Sequence, residues 1–405
     1  GGFVLDEAFN MRLIAHDDLG GFGNGGEGMS LQATRDGRRV MWIAHESAPI
    51  NFTGVDVTDP RKPKVICQTR LPHNRVRSNS LEVTGDIMAV AYQTATHGET
   101  PAGVELFDIS DPENPQSISF FDRSGPGSRG VHQLWFVDGE FVHCASGAAD
   151  FNPRYPKDDQ IYTIIDVRDP ASPVEAGRWW FPGTKDDDDE PAPPRHPDFD
   201  SGFRMHNTNV YPDHPDRAYL GCLDGGVVIL DIADKSRPKL ISNWNPHPPF
   251  PGFCHTALPL FERDLLIVSD ECVRDNGGDW PKLTWVVDAR IETNLVPIST
   301  FPMPPVEDFG SRGGRYGSHN LHENRPGPAF RSDTIIFATF FNGGVRAYDT
   351  SNPFQPREIA HFVPEAPKGA RAGTIQVNDV YVDENALVYI IDREAGGLYV
   401  LEADI

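Results

Sequence analysis

The segment Gly313–Asn324 concentrates side chains that can bind a metal ion or transfer a proton. Its sequence, GGRYGSHNLHEN, places His319, His322 and Glu323 within five residues. Imidazole nitrogens and carboxylate oxygens are common ligands of transition metals, and both groups also serve as general acids or bases. A single His-x-x-His pair is a weak signal by itself. Its meaning depends on whether other parts of the chain place histidine at the same structural position.

Histidine does recur at the start of several apolar segments. The segments GVHQLWF, RMHNTNV, CHTALPL and SHNLHEN, aligned on their apolar residues, bring one histidine each to a common position: His132, His206, His255 and His319. Three further segments, GEGMSLQ, RSNSLEV and AGTIQVN, place Gly28, Asn79 and Gly373 there. Seven equivalent segments indicate a repeat architecture.

A second sequence motif repeats with the same period. An apolar run ends in an acidic residue and is followed by an Asp-Pro or Asn-Pro turn, as in GVELFDISDPENP from Gly103 and GVRAYDTSNPFQP from Gly344. Such a turn is typical of a strand end, because the Asx side chain caps the backbone and proline fixes φ. The acidic residues stand 52 to 65 residues apart: Asp56, Asp108, Asp166, Asp231, Asp288, Asp349 and Glu402. This spacing fits a four-stranded propeller blade with long loops.

The sequence therefore predicts an all-β protein, a seven-bladed β-propeller that forms one domain over residues 1–405. The last unit lacks its outer strand, because the sequence ends at Ile405. The segment Asn10–His16 resembles the outer strands of other units, so residues 1–20 are predicted to close the last blade. Closure of this kind removes an exposed sheet edge. The Pro-rich connection 181–203, with its DDDDE run, is predicted to be a solvated surface loop, a calcium site or a lid.

The innermost strands of a propeller run along the central channel, so the four aligned histidines are expected to converge on the axis. Neutral imidazoles suit iron, copper, zinc or manganese, and strands hold them in place. We predict a mononuclear metal centre formed by His132, His206, His255 and His319, with Fe(II) favoured over copper, manganese or zinc. A polar channel lined by hydrogen-bonded histidine is the alternative.

Other polar residues are expected near the ends of the same strands. The candidates for acid–base catalysis or for holding the metal ligands are His322, His45, Glu323 and Glu271. Arginine forks grip carboxylates, and asparagine is an uncharged hydrogen-bonding group. The candidates for substrate binding are accordingly Arg204, Arg315 and Asn79.

The composition limits the class of partner. Acidic residues outnumber basic ones 59 to 36, for a net charge of −23. Such a surface repels nucleic acid and anionic lipid, so the expected partner is a small-molecule substrate, with no nucleic acid and no membrane insertion. The N-terminal residues show no signal-peptide pattern. We therefore expect a soluble and cytoplasmic protein, with export of a processed chain left open. The five cysteines are widely spaced and expected to be reduced.

The chain resembles the LVIVD-repeat proteins in three features: the Asp-Pro motif, the HTALPL segment and the GSHNLHE segment. This resemblance covers nearly the whole chain and implies a β-propeller, but it implies no single activity. In architecture, the predicted centre is also similar to the carotenoid-cleavage oxygenases, propellers that hold iron with four axial histidines, and to the oligogalacturonate lyases, propellers with a His-rich divalent-metal site. Fold alone does not settle function.

Three functions remain open on the sequence. The first is an oxidoreductase or oxygenase acting on a small anionic or phenolic substrate. The second is a lyase or hydrolase in which the metal acts as a Lewis acid, with His322, His45 or Tyr316 as base. The third is a metal-free interaction scaffold.

Overall fold

A computed structural model describes residues 7–405 of the chain. Within them, antiparallel sheets of about four strands follow one another along the sequence, one for each predicted repeat. The protein is a seven-bladed β-propeller, as predicted. The N-terminal strands and the first three blades have the following bounds: β1 (Glu7–Phe9) and β2 (Met11–Asp17); blade 1 with β3 (Gly25–Ala33), β4 (Arg39–His45), β5 (Ile50–Asp56) and β6 (Lys64–Arg70); blade 2 with β7 (Val76–Arg77), β8 (Leu81–Thr84), β9 (Ile87–Thr94), β10 (Gly103–Asp108) and β11 (Gln116–Asp122); the ribbon β12 (Ser124–Gly125) and β13 (Ser128–Arg129); and blade 3 with β14 (Val131–Trp135), β15 (Phe141–Ser146), β16 (Ile161–Asp166) and β17 (Val174–Trp179).

The remaining blades continue the pattern, with one irregular inner segment. Their strands are β18 (Thr208–Tyr211), β19 (His214–Gly221), β20 (Val227–Asp231) and β21 (Lys239–Trp244) in blade 4; β22 (Cys254–Leu260), β23 (Leu265–Asp270), β24 (Thr284–Asp288) and β25 (Val296–Thr300) in blade 5; β26 (Ile335–Thr339), β27 (Val345–Asp349) and β28 (Arg357–Val363) in blade 6; and β29 (Val377–Val382), β30 (Leu387–Asp392) and β31 (Leu398–Ala403) in blade 7. In blade 6 the innermost segment meets β26 through an isolated bridge between Leu321 and Ala338 and through backbone hydrogen bonds of His319, Asn320 and His322. Three short helices lie in loops: 3₁₀ turns at Leu19–Gly21 and Phe261–Arg263, and α1 at Val306–Phe309.

The N-terminal segment completes two blades. Strand β2 pairs antiparallel with β31, from Met11 opposite Ala403 to Asp17 opposite Leu398, and so closes blade 7 as predicted. Strand β1 pairs with β28 and adds an outer strand to blade 6, which the sequence did not indicate. Both outer edges are therefore formed by residues far away in the sequence.

The repeated Asp-Pro motif forms the turn that its residues predict. At the end of the third strand in the first six blades, the Asp carboxylate accepts a hydrogen bond from the backbone N–H two residues later, over 2.8 to 3.0 Å. These Asx turns fix where each strand ends and the next begins. Their aspartates are Asp56, Asp108, Asp166, Asp231, Asp288 and Asp349.

Apolar side chains fill the spaces between neighbouring blades. Between blades 1 and 2, for example, the buried Phe52 packs edge-on against Trp42 and Phe107, with ring centroids 5.7 and 5.1 Å away. Burying one such side chain contributes roughly 1.5–3 kcal/mol to stability. The cores between blades hold the inner strands rigidly around the axis, which is what a site built on those strands requires.

The acidic connection 181–203 is anchored to the propeller by ion pairs. Both carboxylate oxygens of Asp158 lie 2.8 Å from Nη1 of Arg195, and Arg195 Nη2 lies 2.7 Å from Asp200. Within the acidic run, Asp188 accepts from the backbone N–H of Gly183 over 2.9 Å. Asp158 lies two residues before Gln160, which lines a cavity near the axis.

Candidate metal centre

A β-bulge on the innermost strand places two of the aligned histidines on the axis. In blade 3, Val131 pairs with Ser146 and Gln133 with Ala145, so that His132 between them has no partner. In blade 5, His255 is the unpaired residue between Cys254 and Thr256. A bulge changes the direction of a side chain and is common beside functional sites. It explains why the histidine, and not its neighbours, points inward.

The other two histidines occupy an equivalent position. The backbone N–H of His206 donates to Gly221 O over 2.8 Å, and the N–H of Gly221 donates back to the next residue, Asn207, over 3.1 Å. His319 and Asn320 share Thr339 in the same way, with hydrogen bonds of 3.1 and 2.9 Å. Two residues thus oppose one, which is the definition of a bulge. The repeated His-Asn pair is the sequence mark of this geometry.

These four residues, His132, His206, His255 and His319, form what we call the histidine cluster. Their rings follow one another around the axis, with centroids separated by 4.5, 3.8 and 4.7 Å in chain order. No ring is more than 9% exposed. The structure thus brings together the four histidines that the alignment selected.

Two buried carboxylates lie against the histidine cluster. Glu27 Oε2 lies 3.4 Å from Nε2 of His255 and 3.5 Å from Nε2 of His206, and its Oε1 lies 3.5 Å from Nε2 of His319. Glu271 lies 3.6 to 3.9 Å from the same three nitrogens. Glu271 was predicted near the site, whereas Glu27 was not among the predicted site residues. The ligand atoms form two groups, each within 4.8 Å, that share Glu27.

The register of blade 1 explains why Glu27 reaches the axis. Gly25 pairs with His45 and Met29 with Ile43, so three residues of β3 oppose a single residue of β4. The alignment placed Gly28 on the axis, but the longer bulge puts Glu27 there instead. Gly28 packs against blade 2, where an added Cβ would lie 2.4 Å from the backbone nitrogen of Leu81.

The residues at the equivalent positions in blades 2 and 7 hold the backbone of the segment that carries Glu27. In blade 2, the backbone carbonyl of Asn79 accepts from Glu27 N–H over 2.7 Å, while the Asn79 amide is fully buried and makes no hydrogen bond among the described residues. In blade 7, the bulge residue is Asn378, not Gly373, and its Nδ2 donates to the carbonyls of Gly25 and Gly26 over 3.0 Å. Asn79 therefore holds the Glu27 backbone and does not line the cavity.

Hydrogen bonds on the far side of the rings fix the tautomer of His206 and restrain the ring of His132. Nδ1 of His132 lies 2.9 Å from Gln93 Oε1, an acceptor, and 3.3 Å from Nη2 of Arg77, a donor, and the shorter contact favours a proton on Nδ1. Nδ1 of His206 likewise donates to Asn207 Oδ1 over 2.9 Å, because Asn207 uses its Nδ2 as a donor to a glutamate. A neutral imidazole with a protonated Nδ1 has a lone pair on Nε2.

The Nε2 atoms of His132 and His206 lie only 2.9 Å apart. At that distance a proton or a metal ion must lie between or beside them, because two lone pairs would repel. Neither ring nitrogen of His319 makes a hydrogen bond to another residue that the structure describes. Unpaired polar atoms in a protein interior are costly. The donor set thus has the chemistry of a metal site whose ligands are oriented by their outer hydrogen bonds.

The spacing of the donor atoms within each group is compatible with a bound ion. Ligand bonds of about 2.1 Å around a six-coordinate ion place neighbouring donors about 3 Å apart and opposite donors about 4.2 Å apart. Seven separations among the histidine nitrogens and the two carboxylates run from 2.9 to 3.9 Å, although the six side chains form two groups within 4.8 Å and not a single one. Nitrogen and carboxylate donors together suit iron, manganese or zinc.

Burial keeps most of the cluster in the form that binds metal. Burial lowers the pKa of His206 to about 3 and also lowers the pKa values of His132 and His319. Burial would lower the pKa of His255 as well, but the hydrogen bond and charge of Glu27 outweigh it and raise that pKa.

A cavity of about 140 Å³ opens beside the cluster and is lined by His132, His206, Glu27 and Glu271. We call it the arginine cavity, because five guanidinium groups also line it: Arg77, Arg129, Arg204, Arg315 and Arg393. Arg204 and Arg315 were predicted to contact substrate, and both lie here. Its remaining lining includes Glu46, Gln93 and Gln160 and an apolar wall of Leu223, Phe253 and Val273.

The other predicted catalytic residues lie outside this cavity. His45 contacts Asn24 Oδ1 and Thr53 Oγ1 through its two ring nitrogens, over 3.1 and 2.7 Å. His322 contacts Phe330 O through Nε2 over 2.7 Å and accepts from Val382 N–H through Nδ1 over 3.1 Å. Both rings are buried and engaged within blades, so their hydrogen bonds are structural.

Glu323 is linked to the histidine cluster through one intervening residue, Asn207. Its Oε1 accepts from Nδ2 of Asn207 over 2.7 Å and from Asn209 over 3.0 Å, and Asn207 in turn orients His206. Glu323 also pairs with Arg325, whose guanidinium binds Glu82 over 2.9 Å. Glu323 therefore acts as a positioning residue for the cluster, through Asn207.

The comparisons with known proteins concern the fold. The LVIVD repeat family matches residues 158–179 and 216–245, in blades 3 and 4, and the chain thus carries LVIVD repeats as the sequence indicated. No curated protein matches the chain. No helix within residues 7–405 is long and apolar enough to cross a membrane.

Solved structures share the architecture at low sequence identity. A chain of the mitotic checkpoint complex is 10% identical, with a TM-score of 0.57 over 98% of this chain and 95% of that one. Raptor from Chaetomium thermophilum is also 10% identical, with a TM-score of 0.58 over 99% of this chain but only 30% of Raptor. At this identity the likeness shows the fold alone.

Proposed function

From a propeller that carries LVIVD repeats and a buried His/Glu cluster on its axis, we propose a metal-dependent enzyme. The histidine cluster would bind one ion, Fe(II) being favoured, with Glu27 and Glu271 balancing its charge so that coordination positions stay open for O₂ and substrate. The observation that supports this most strongly is the 2.9 Å approach of Nε2 of His132 to Nε2 of His206. With both protons on Nδ1 the two lone pairs face each other, and a cation beside them would remove that repulsion.

The proposed reaction is an oxidation or oxygenation of a small anionic or phenolic substrate. A redox-active ion held by imidazole and carboxylate supplies electron transfer and O₂ chemistry. The chain's own residues perform the remaining work. Gln93 and Asn207 orient two rings, Asn79 holds Glu27, and the arginine cavity binds and orients the substrate beside the cluster. Rigid strands keep this arrangement in place before substrate arrives.

A Lewis-acid lyase or hydrolase is the second candidate, and it needs a general base near the substrate. His45 and His322 have both ring nitrogens engaged elsewhere, and Tyr316 donates its hydroxyl to the carbonyl of Pro304. Glu46 has one buried carboxylate oxygen without a hydrogen-bond partner and lines the cavity. Glu46 is therefore the base that this second candidate would use, and the redox function remains favoured.

An interaction scaffold, the third candidate, predicts a protein that functions without metal. It gives no reason for four buried imidazoles and two buried carboxylates to converge, since each such group is costly to bury. The net charge of −23 also favours a buried, local site as the functional feature over a surface that binds partners non-specifically.

Elemental analysis of the purified protein tests the proposal. The wild type is compared with a His206→Ala/His319→Ala variant and with His322→Gln as a control for the loss of a buried histidine. We expect about one equivalent of iron in the wild type and in the control, and none in the double variant, together with substrate-dependent O₂ consumption. Zinc or manganese lost in the same way would favour the lyase or hydrolase. No bound metal after anaerobic loading with Fe(II) would overturn both enzyme functions.

A further inference from the structure

The arginine cavity contains more guanidinium groups than carboxylates that pair with them. Glu46 pairs with Arg77 and Arg393 over 2.7 and 2.6 Å, and Glu271 pairs with Arg315 over 2.7 Å. In the third group, one carboxylate, Asp159, serves two arginines. Five guanidinium groups therefore pair with three carboxylates, while a fourth carboxylate in the lining, Glu27, lies against the histidine cluster.

The pair of arginines that shares Asp159 is the best-defined part of this surplus. Arg129 Nε lies 2.6 Å from Asp159 Oδ2, and Arg204 Nη1 lies 3.4 Å from Asp159 Oδ1. His97 also lies 2.9 Å from Asp159, so this carboxylate, 1% exposed, holds several donors in place.

An independent observation points to a ligand at the same place. Gln160, the residue after Asp159, is 4% exposed and lines the cavity, and neither its Nε2 nor its Oε1 has a hydrogen-bond partner. A buried amide without partners costs on the order of 1–3 kcal/mol. Its backbone is fixed, because Gln160 O accepts from Met205 N–H over 2.9 Å. A bound carboxylate can accept a hydrogen bond from the Gln160 Nε2.

The opposite wall of the cavity is apolar and held in an unusual conformation. Leu223 and Phe253 have φ angles of +30° and +66°, in the left-handed region that residues with side chains rarely adopt. Two backbone hydrogen bonds between Leu223 and Cys254, of 3.0 and 2.9 Å, keep the segment in this state. Strain of this kind costs about 1–3 kcal/mol per residue and is concentrated at ligand sites. With Val273, this wall can contact a short hydrocarbon chain.

We propose that the arginine cavity binds a small dicarboxylic acid as the substrate of the metal centre. One carboxylate lies between Arg129 and Arg204 with the amide of Gln160, the carbon chain lies against the apolar wall, and the second carboxylate lies towards the histidine cluster. A cavity of about 140 Å³ admits a ligand about the size of benzene, since an engineered cavity of about 150 Å³ binds that molecule. Planar guanidinium forks match carboxylates in geometry as well as charge. This inference rests on the proposed function for the role of substrate, but not for binding.

Calorimetry with defined probes tests the inference on metal-loaded and metal-stripped protein. Succinate and maleate are the dianionic probes, butyrate is the singly charged match, and phenol and butanediol are the neutral ones. We expect succinate or maleate to bind at least tenfold more tightly than butyrate in both forms of the protein, with no saturable binding of the neutral probes. Equal binding of butyrate or of phenol would overturn the inference, and so would the absence of dicarboxylate binding in both forms.

A matched pair of variants shows where the probes bind. Gln160→Leu preserves the size of the side chain and removes both amide atoms without leaving a buried charge, so it should weaken dicarboxylate binding about tenfold while metal content stays at the wild-type level. Arg75→Met, at an exposed arginine outside the cavity lining, should change neither value. Loss of metal in Gln160→Leu, or unchanged dicarboxylate affinity, would contradict the assignment of this subsite. Dicarboxylate binding by a protein that takes up no metal would instead reject the metal proposal alone.

Discussion

Arg315 donates from Nη1 to Oε1 of Glu271 over 2.7 Å, and this one ion pair joins the arginine cavity to the histidine cluster. The same carboxylate lies 3.6 Å from Nε2 of His319. Glu271 thus faces the cluster on one side and the cavity on the other. A ligand that changes the position of Arg315 will change the charge available at the metal centre.

Replacement of Arg315 is expected to weaken metal binding although the arginine is not a proposed ligand. Arg315→Met removes the donor that orients Glu271, and loss of such outer contacts typically lowers metal affinity 10- to 100-fold. Competition against a chelator measures the affinity. Arg371→Met, at an arginine whose side chain is 84% exposed, is the control and should bind like the wild type. Equal affinity in the Arg315 and Arg371 variants would show that Glu271 is oriented without Arg315.

Gln93 is expected to control the tautomer of His132. Gln93→Leu removes the oxygen that accepts from Nδ1, so the imidazole can place its proton on Nε2 and lose the lone pair that faces His206. We expect metal affinity to fall 10- to 100-fold. Gln32→Leu, which removes a buried glutamine bonded to Trp42 in blade 1, should reduce stability only. Wild-type metal affinity in Gln93→Leu would contradict the tautomer assigned here.

His322 is expected to affect stability at low pH, not catalysis. Burial lowers its pKa to about 3, against about 6.5 in the unfolded chain. Between these values the unfolded chain binds a proton that the folded protein does not, so stability falls as the pH falls, by up to about 1.4 kcal/mol per pH unit for this one residue.

The variant His322→Gln tests that linkage. Urea unfolding between pH 4 and 6 should show a free energy of unfolding that changes less steeply with pH than in the wild type, by about 1.4 kcal/mol per unit. The metal content at pH 7 should be unchanged. Identical pH slopes would show that the ring is already charged in the folded state. Loss of metal would show that His322 is part of the metal site.

Glu82 is expected to take up a proton near neutral pH. Burial raises its pKa to about 7, with the charge of Glu323 adding to the effect and the guanidinium of Arg325 opposing it. Infrared difference spectra between pH 5 and 9 should show a protonated carboxyl band that disappears with a midpoint near pH 7 and that is missing in Glu82→Gln. A band that persists in the variant would assign the proton to another buried acid, such as Asp379, whose pKa burial also raises.

The histidine positions could be predicted from the sequence because the bulge recurs at one place in each repeat. His132, His206, His255 and His319 all precede an apolar strand by the same interval, and the backbone determines the rest. Glu27 was not assigned to the axis, because β3 carries two extra residues at its bulge where the other strands carry one. An alignment with a constant interval must select Gly28. The acid directly before the aligned glycine was the available signal.

The cavity could be predicted only in part. Arg204 stands two residues from a ligand, and the sequence therefore indicated it. Gln160, Leu223 and Val273 lie in connections whose paths depend on tertiary contacts, such as the hydrogen bond between Gln160 and Met205. Local propensity carries no information about which of these residues meet at the axis. His322 shows the opposite error, since its proximity to His319 in sequence does not bring it to the cluster.

The way the ring is closed sets the order in which its parts can form during synthesis. Strand β2 is synthesised more than 380 residues before β31, its partner. Glu27 is likewise synthesised almost 250 residues before Glu271 and almost 300 before His319. Contacts so distant along the chain form slowly. The nascent protein therefore has its early blades before the histidine cluster is complete, and the four histidines and two carboxylates can meet only after His319 has been synthesised.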